Sequence, residues 1–327
     1  MTGGLIMEDL VIAVDLGGTQ LRVAAWSGGR HTVVRHAEPT KASEGMESVV
    51  NRMVASVRSV GDEVGWDRVK AVGVSAPGPL DPWRGVILWA PNLPGWKDVA
   101  LGERLSKAVE RPVFMGNDAN LAALAEQRHG AGQGYTDLVY LTVSTGIGGG
   151  VISDGRLIIG RGGLGAEVGH MTVEAHGPVC NCGNIGCLET MASGTALARQ
   201  AREIVAAGIR TRIADLVGGD AERVTAKTIH DAADDGDPVA VDLWRKAGVY
   251  LGVGIVNLMY LFSPGVIVIG GGLTKAGDLL LAPMRVTIRQ RIKEVYWKEC
   301  PIVSPALGDD VSLIGAATLA MEGTKGG

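Results

Sequence analysis

The chain switches repeatedly between short apolar runs that end on a turn residue and longer stretches whose apolar positions recur every three to four residues. Val11–Trp26 (VIAVDLGGTQLRVAAW) is an apolar run, a glycine turn and a second β-prone run, and Leu138–Ile152 (LVYLTVSTGIGGGVI) repeats the plan. Each predicts a strand, a tight turn and a second strand. Further strands are predicted at Val69–Ser75 before Ala76-Pro77-Gly78-Pro79, at Val113–Met115 before Gly116-Asn117-Asp118, and at Val266–Ile269 before Gly270-Gly271-Gly272. Helical periodicity falls at Gly45–Val60, Leu101–Glu110, Ala119–His129, Gly194–Ala206, Thr225–Asp234, Pro238–Phe262 and Leu313–Met321. Strands interleaved with helices define an α/β fold. The repeated strand–turn–strand plan points to two related α/β halves, with the first boundary near Gly116: an N-terminal domain over 1–116 and a larger one over 117–303. No Ser/Pro-rich linker separates them.

With 327 residues, the chain has room for two domains. Its formal charge of −4 gives no general attraction for nucleic acid. The apolar stretch Ala247–Phe262 falls short of the ~20 residues of a membrane span and carries Gly248, Gly252, Gly254 and Asn257, so it reads as a buried core helix. Met1–Leu10 includes Glu8 and Asp9 and lacks a long apolar core, which excludes a signal peptide and gives a cytoplasmic expectation. Among the 49 glycines, many follow apolar runs, where they mark tight turns.

Two of those turns are suited to phosphate. In Asp15-Leu16-Gly17-Gly18-Thr19, the glycines let backbone N–H groups approach an anion closely, Thr19 adds a hydroxyl, and Asp15 can hold a hydrated Mg²⁺. An ordinary glycine hairpin fits the same residues. Ser144-Thr145-Gly146-Ile147-Gly148-Gly149-Gly150 is followed by a strand, which argues against a dinucleotide fingerprint, and no Gly-Lys-Ser/Thr closes it as a Walker loop would. Facing hairpins of this kind can grip a triphosphate. Gly270-Gly271-Gly272 is either a close-approach point for a flat nucleoside or a plain strand-to-helix turn.

Asn117-Asp118 ends a strand and opens the Ala-rich run Ala119–His129. Asp118 reads two ways: as the N-cap of that helix, or as a carboxylate at a strand end that accepts the proton of an attacking hydroxyl. The densest chemistry lies between Glu167 and Glu189. His170, Cys180, Cys182 and Cys187 make a complete Cys₃His set for a structural Zn²⁺, the alternative being unliganded thiols. Glu167 and Glu189 flank it, as hydrogen-bonding groups for sugar hydroxyls or as solvated surface charge. His170 can bind metal through one nitrogen and a ligand through the other. Cys300 stands alone.

These pieces together resemble the ROK family of bacterial sugar kinases and repressors, over nearly the whole chain. The most specific element is Glu167-Val168-Gly169-His170 followed by Cys180-x-Cys182-Gly-x-x-Gly-Cys187-x-Glu189; Ala90-Pro91-Asn92-Leu93-Pro94-Gly95-Trp96 and Gly116-Asn117-Asp118-Ala119-Asn120 are similar to the family's sugar and catalytic segments. The resemblance implies an actin/hexokinase-like (ribonuclease H-like) fold of two α/β domains flanking a cleft, with a C-terminal helix, about 304–327, joined to the N-terminal domain. It implies Asp118 as general base, Asn92, Asn117, Glu167, His170 and Glu189 on the sugar, Gly17, Gly18, Thr19, Thr145 and Gly146 on ATP, and one structural zinc on His170, Cys180, Cys182 and Cys187. Dimers or tetramers are implied as well. CLETMASGTAL around Cys187 looks closest to the glucokinase branch. The implied reaction is transfer of the ATP γ-phosphoryl group, with Mg²⁺, to glucose; N-acetylmannosamine or another hexose is the alternative. A sugar-responsive repressor is the rival class, but the strand starting near Leu10 leaves no room for a preceding helix-turn-helix domain.

Overall fold

The computed structural model describes residues 9–28, 31–90 and 92–325. They divide into two compact units, the first holding the described residues up to Gly134, then Arg156–Ala166 and the chain from Ala306 onward, the second holding Tyr135–Gly155 and Glu167–Pro305.

The first unit is built on a five-stranded sheet of order β3-β2-β1-β4-β8, with β1 at Leu10–Leu16, β2 at Gln20–Trp26, β3 at Thr32–Pro39, β4 at Val69–Ala76 and β8 at Val113–Asn117. Every residue of β1 is buried, as a central strand covered on both faces requires. It pairs antiparallel with β2, Leu16 opposite Leu21, and parallel with β4, Asp15 opposite Ser75. Leu10, Ile12, Val14 and Leu16 point to one side, where Val49, Val50, Met53, Val57 and Val60 of α1 (Met46–Val64) and Leu101 and Leu105 of α2 (Leu101–Val109) complete a core. Val11 and Ala13 point to the other, onto Leu121, Leu124 and Ala125 of α3 (Asp118–His129) and Leu313, Ile314, Ala316 and Ala317 of α11 (Val311–Lys325). The result is a three-layer α/β/α sandwich.

The last helix is inlaid rather than appended. A Cβ on Gly73 of β4 would stand 1.9 Å from the Ala316 carbonyl, and one on Gly315 2.2 Å from the Leu121 carbonyl. Backbone therefore meets backbone at both contacts. The small sheet β5-β6-β7 (Leu80–Asp81, Val86–Trp89, Lys97–Val99) hangs from the β4 end, and β11 (Arg156–Leu157) opens the short segment that returns to this unit. Because α3 supplies part of this core, the unit runs to Gly134, beyond the boundary that the turn at Gly116 suggested.

The second unit repeats the central plan. β9 (Leu138–Val143) pairs antiparallel with β10 (Ile147–Ser153) and parallel with β12 (Val266–Gly270), which in turn pairs parallel with β13 (Ile302–Val303). Around this sheet lie α4 (Leu188–Ala192), α5 (Gly194–Ala206), α6 (Arg212–Leu216), α7 (Ala226–Asp234), α8 (Pro238–Phe262), α9 (Asp278–Arg291) and α10 (Glu294–Trp297). Asp237 caps α8, accepting from Val239 N and Ala240 N, with Pro238 at its first turn. Gly248 and Gly252 are where α9 crosses: a Cβ on either would stand 2.5 Å from the Leu280 carbonyl or 2.7 Å from Thr287 Cβ. Among the described residues, no helix is long and apolar enough to cross a membrane.

Candidate active site

In the first unit the sequence-predicted residues gather at the ends of β1, β4 and β8, the edge where parallel α/β sheets bind ligands. The turn after β1 closes with Gly17 N–H donating to the Gln20 carbonyl at 3.0 Å. Gly18 carries the Asn92 segment against it: a Cβ there would meet Asn92 Cβ at 3.2 Å. Leu93 and Trp96, both buried in the α1-side core, anchor that segment and leave Asn92 exposed. Pro91 of the same motif, like residues 1–8, lies outside the described residues.

Asp15 is buried, and Arg22 donates to its Oδ2 from Nε at 2.9 Å. Burial pushes its carboxyl above the usual range, the Arg22 guanidinium pulls it back, and Asp310 adds a smaller upward push. Both Arg22 bonds fall on Oδ2, so Arg22 claims one oxygen of the carboxylate proposed for hydrated Mg²⁺.

The helix cap corrects the sequence reading. Asn117, not Asp118, caps α3: its Oδ1 accepts from Ala119 N at 3.0 Å and Asn120 N at 3.3 Å, while its Nδ2 donates to the Gly78 carbonyl at 3.3 Å. Asn117 has the extended backbone a cap needs, and Asp118 is already the first helical residue. Asp118 is exposed, and its Oδ1 accepts from Ala119 N at 2.8 Å. A negative group there also meets the positive end of the helix dipole. The amide of Asn117 is thus committed to holding α3 and the Gly78 turn.

The second unit brings together Glu167, His170, Glu189 and the second glycine turn. His170 N–H donates to the Glu167 carbonyl at 2.9 Å across a 3-10 turn. Gly169 in that turn lies hard against β10, since a Cβ would stand 1.8 Å from the Ile147 carbonyl. Glu189 Oε2 accepts from Ile147 N at 2.8 Å, and a Cβ on Gly146 would meet the same oxygen at 2.4 Å. The predicted sugar carboxylate and the predicted phosphate turn are therefore in contact. Burial pushes the Glu167 carboxyl upward, His170 offsets part of this, and the Glu189 charge adds to it.

The carbonyls of Ser144 and Thr145 are tied to the start of α5, accepting from Gly194 N at 2.8 Å and Thr195 N at 3.1 Å. Gly271 is accounted for by packing: with φ +95°, it would bring a Cβ to 2.3 Å from the Val143 carbonyl. That places the Gly271 turn beside the Ser144–Gly146 loop.

His170, Cys180, Cys182 and Cys187 form one cluster, their ligand atoms all within 4.8 Å of one another. Cys180 Sγ lies 3.6 Å from His170 Nδ1, and Cys182 Sγ 3.7 Å from Cys187 Sγ. A tetrahedron with Zn–S of about 2.3 Å has edges of about 3.8 Å, so the donor set and these spacings fit a closed Zn²⁺ site. Asn184 Nδ2 donates to Cys187 Sγ at 3.3 Å and to the His170 carbonyl at 3.2 Å, fixing the two halves of the cluster. Gly183 and Gly186 take φ of +90° and +65°, and a Cβ on Gly186 would collide with the Glu174 carbonyl. Cys300 is far along the chain and buried, its thiol pushed up to about 11 by burial alone.

Two buried polar residues, one bound to the first glycine turn and one in α3, had no sequence signal. Thr40 donates to two carbonyls of the first glycine turn, its N–H to Thr19 at 2.8 Å and its Oγ1 to Gly17 at 2.6 Å. Glu126, fully buried in the helix that begins with Asp118, accepts from Ala131 N, Ala306 N and Leu307 N. Thr40 and, through Ala306 and Leu307, Glu126 act on partners distant in sequence, and neither lies in a recognisable motif.

A model of the ROK family matches residues 11–323. A glucokinase of Thermotoga maritima is 36% identical over 315 residues, spanning 95% of this chain and 97% of its own length. Among solved structures, a ROK hexokinase from Thermus thermophilus superposes with a TM-score of 0.83 at 37% identity, covering 97% of this chain and 100% of that one. A ROK family glucokinase from Streptomyces griseus, in complex with glucose and AMPPNP, gives a TM-score of 0.77 at 35% identity, covering 96% and 99%.

Proposed function

Because this chain belongs to the ROK family and has the mixed α/β, actin/hexokinase-like fold of its hexokinases, we propose that it is an ATP-dependent glucokinase, an ATP:glucose 6-phosphotransferase. The observation that carries the reading is the contact of Glu189 with the Gly146 turn, beside Glu167 and His170. It joins a polyhydroxyl-binding cluster to a phosphate-type loop in one compact unit. A relative 35% identical over nearly its whole length was crystallised with glucose and an ATP analogue, which supports the same pair of substrates here.

The roles follow from the chemistry. Asn92, Asn117, Glu167, His170 and Glu189 are assigned to the sugar hydroxyls; the structure of α3 makes Asn117 a positioning residue as much as a contact. Gly17, Gly18, Thr19, Thr145, Gly146 and Gly271 are assigned to ATP. Asp118 accepts the proton of the 6-hydroxyl as that oxygen bonds to the γ-phosphorus and the bond from phosphorus to the β,γ-bridging oxygen breaks, releasing ADP. The exposed Asp118 carboxylate at the first turn of α3 suits that work. Mg²⁺, when bound with ATP, neutralises charge on the phosphates, and Asp15 is the residue assigned to it through water. Zn²⁺ on His170, Cys180, Cys182 and Cys187 is structural: it leaves His170 Nε2, the nitrogen facing away from Cys180, for the sugar. The reading also takes the protein as a cytoplasmic homodimer or homotetramer of sugar metabolism.

The test is an ADP-release assay with Mg·ATP and glucose, mannose, fructose and N-acetylmannosamine. Turnover strongest on glucose is the expected result. A preference for another sugar would change the substrate and keep the mechanism. No turnover on any of them, with folded, zinc-loaded protein, would refute the kinase reading and favour a sugar-binding regulator.

A further inference from the structure

Thr40 is fully buried at the end of β3. The strand pairing of β1 with β2 does not need its hydroxyl, because Gly17 N–H and the Gln20 carbonyl already close the turn. Yet Thr40 binds that turn twice, with N–H to Thr19 and hydroxyl to Gly17. Its own carbonyl accepts from Arg52 Nη1 of α1 at 2.6 Å, and the same guanidinium is held by Glu44 and, at 3.9 Å, by Glu38. The polar chain runs from a helix surface through a buried residue to the backbone of a glycine turn.

A trans peptide is planar, so its C=O and the following N–H point in opposite directions. Drawing the Gly17 carbonyl back onto Thr40 turns the Gly18 N–H the other way. Among the described residues, nothing accepts from that N–H. The turn is thus an aimed donor, and the aiming group is the Thr40 hydroxyl.

We propose that Thr40 is a positioning residue for phosphoryl transfer, fixing the Gly17–Gly18 peptide so that the Gly18 N–H meets the phosphate chain of ATP. The proposal rests on the reading that this turn contacts ATP. Without the hydroxyl the peptide is free to rotate, and the donor is no longer preorganised for charge that develops on the transferring group.

The experiment compares full-length wild type, Thr40→Val and Thr40→Ser with glucose and ATP varied separately. Thr40→Val keeps the shape and deletes the donor; it is expected to raise KM for ATP and lower kcat/KM for ATP by about tenfold, the equivalent of one hydrogen bond, with KM for glucose within twofold. Thr40→Ser, which keeps the hydroxyl, is expected to restore kcat/KM for ATP to within about threefold of wild type. In parallel, the Gly18 amide resonance of the wild type is followed by NMR on adding AMPPNP and is expected to shift, less so in Thr40→Val. A wild-type Gly18 amide that does not respond while other resonances do would refute the ATP role of the turn itself. A responding Gly18 with unchanged ATP kinetics in Thr40→Val would leave that role standing and overturn the positioning role, as would equal losses for both substrates without rescue by serine. Should the valine variant not fold, Arg52→Met tests the next link: an unaltered KM for ATP there also counts against the proposal.

Discussion

Replacing Glu126 by alanine takes the acceptor from three backbone N–H groups at once. Its Oε2 accepts from Ala131 N at 2.7 Å, its two oxygens share Ala306 N at 3.0 and 3.1 Å, and its Oε1 accepts from Leu307 N at 3.0 Å. The side chain is fully buried, and Gly130 makes room for it, since a Cβ there would stand 2.0 Å from Oε2. A buried donor left without a partner costs about 1–3 kcal/mol. Three of them, less the relief of removing a buried charge, give a loss of about 5 kcal/mol. Glu126→Gln keeps one oxygen for Ala306 and Leu307 but turns an NH₂ towards Ala131, and should lose about 2 kcal/mol. Urea unfolding followed by tryptophan fluorescence measures both, and hydrogen exchange locates the effect: amides of 130–132 and 306–307 should lose protection first. An alanine variant within about 0.5 kcal/mol of wild type, the range of an ordinary surface substitution, would refute the reasoning. So would unchanged exchange at 306–307.

Asp118→Asn should keep glucose binding by calorimetry and lose about 10²–10⁴ in kcat, the span of a general base; near-normal turnover would remove Asp118 from that role. Metal analysis should find one zinc per chain, absent in Cys182→Ser, whose glucose affinity should fall because His170 then loses its fixed orientation. Glu167 has a folded-state pKa above its ordinary 4.5, so the fold favours its protonated form; that stabilisation is present below pH 4.5 and lost as pH rises through the raised value. Glu167→Gln should therefore melt higher than wild type at neutral pH and match it near pH 4. Wild-type glucose affinity should drop as pH falls through the same raised value, where a variant carrying glutamine shows no such limb.

Of the strands read from sequence, the clearest are buried on both faces, while the half-buried β8 is legible from the turn Gly116-Asn117-Asp118 that closes it. β1, β4, β9 and β12 are apolar runs that end on a turn residue, and no competing periodicity disturbs them. β3 went unread because it alternates exposed and half-buried residues at the sheet edge, and β5, β6 and β7 are too short to show any period. α9 carries Pro283 in its interior, which argues against a helix until Gly248 of α8 is seen to accept the ring. Of the site, the His/Cys cluster was legible because its four side chains lie within one short segment. The cap was misassigned by one residue because Asn and Asp are equally good caps, and only backbone angles separate them. Thr40 and Glu126 were invisible for a different reason: each is a lone polar residue whose meaning lies in carbonyls or amides brought to it by the fold.

The inlaid α11 also dictates an order of events on the ribosome. Leu313, Ile314, Ala316, Ala317 and Ala320 form part of the layer that covers β1 and β4, so the earliest strands to be synthesised wait for the last helix before their second face is sealed. At about 5–20 residues per second, that wait lasts tens of seconds. Tyr135–Gly155 and Glu167–Pro305 form a separate unit with no such dependence on α11. A released chain ending just short of Val311 should therefore carry a protease-resistant second unit and a first unit that still recruits chaperones.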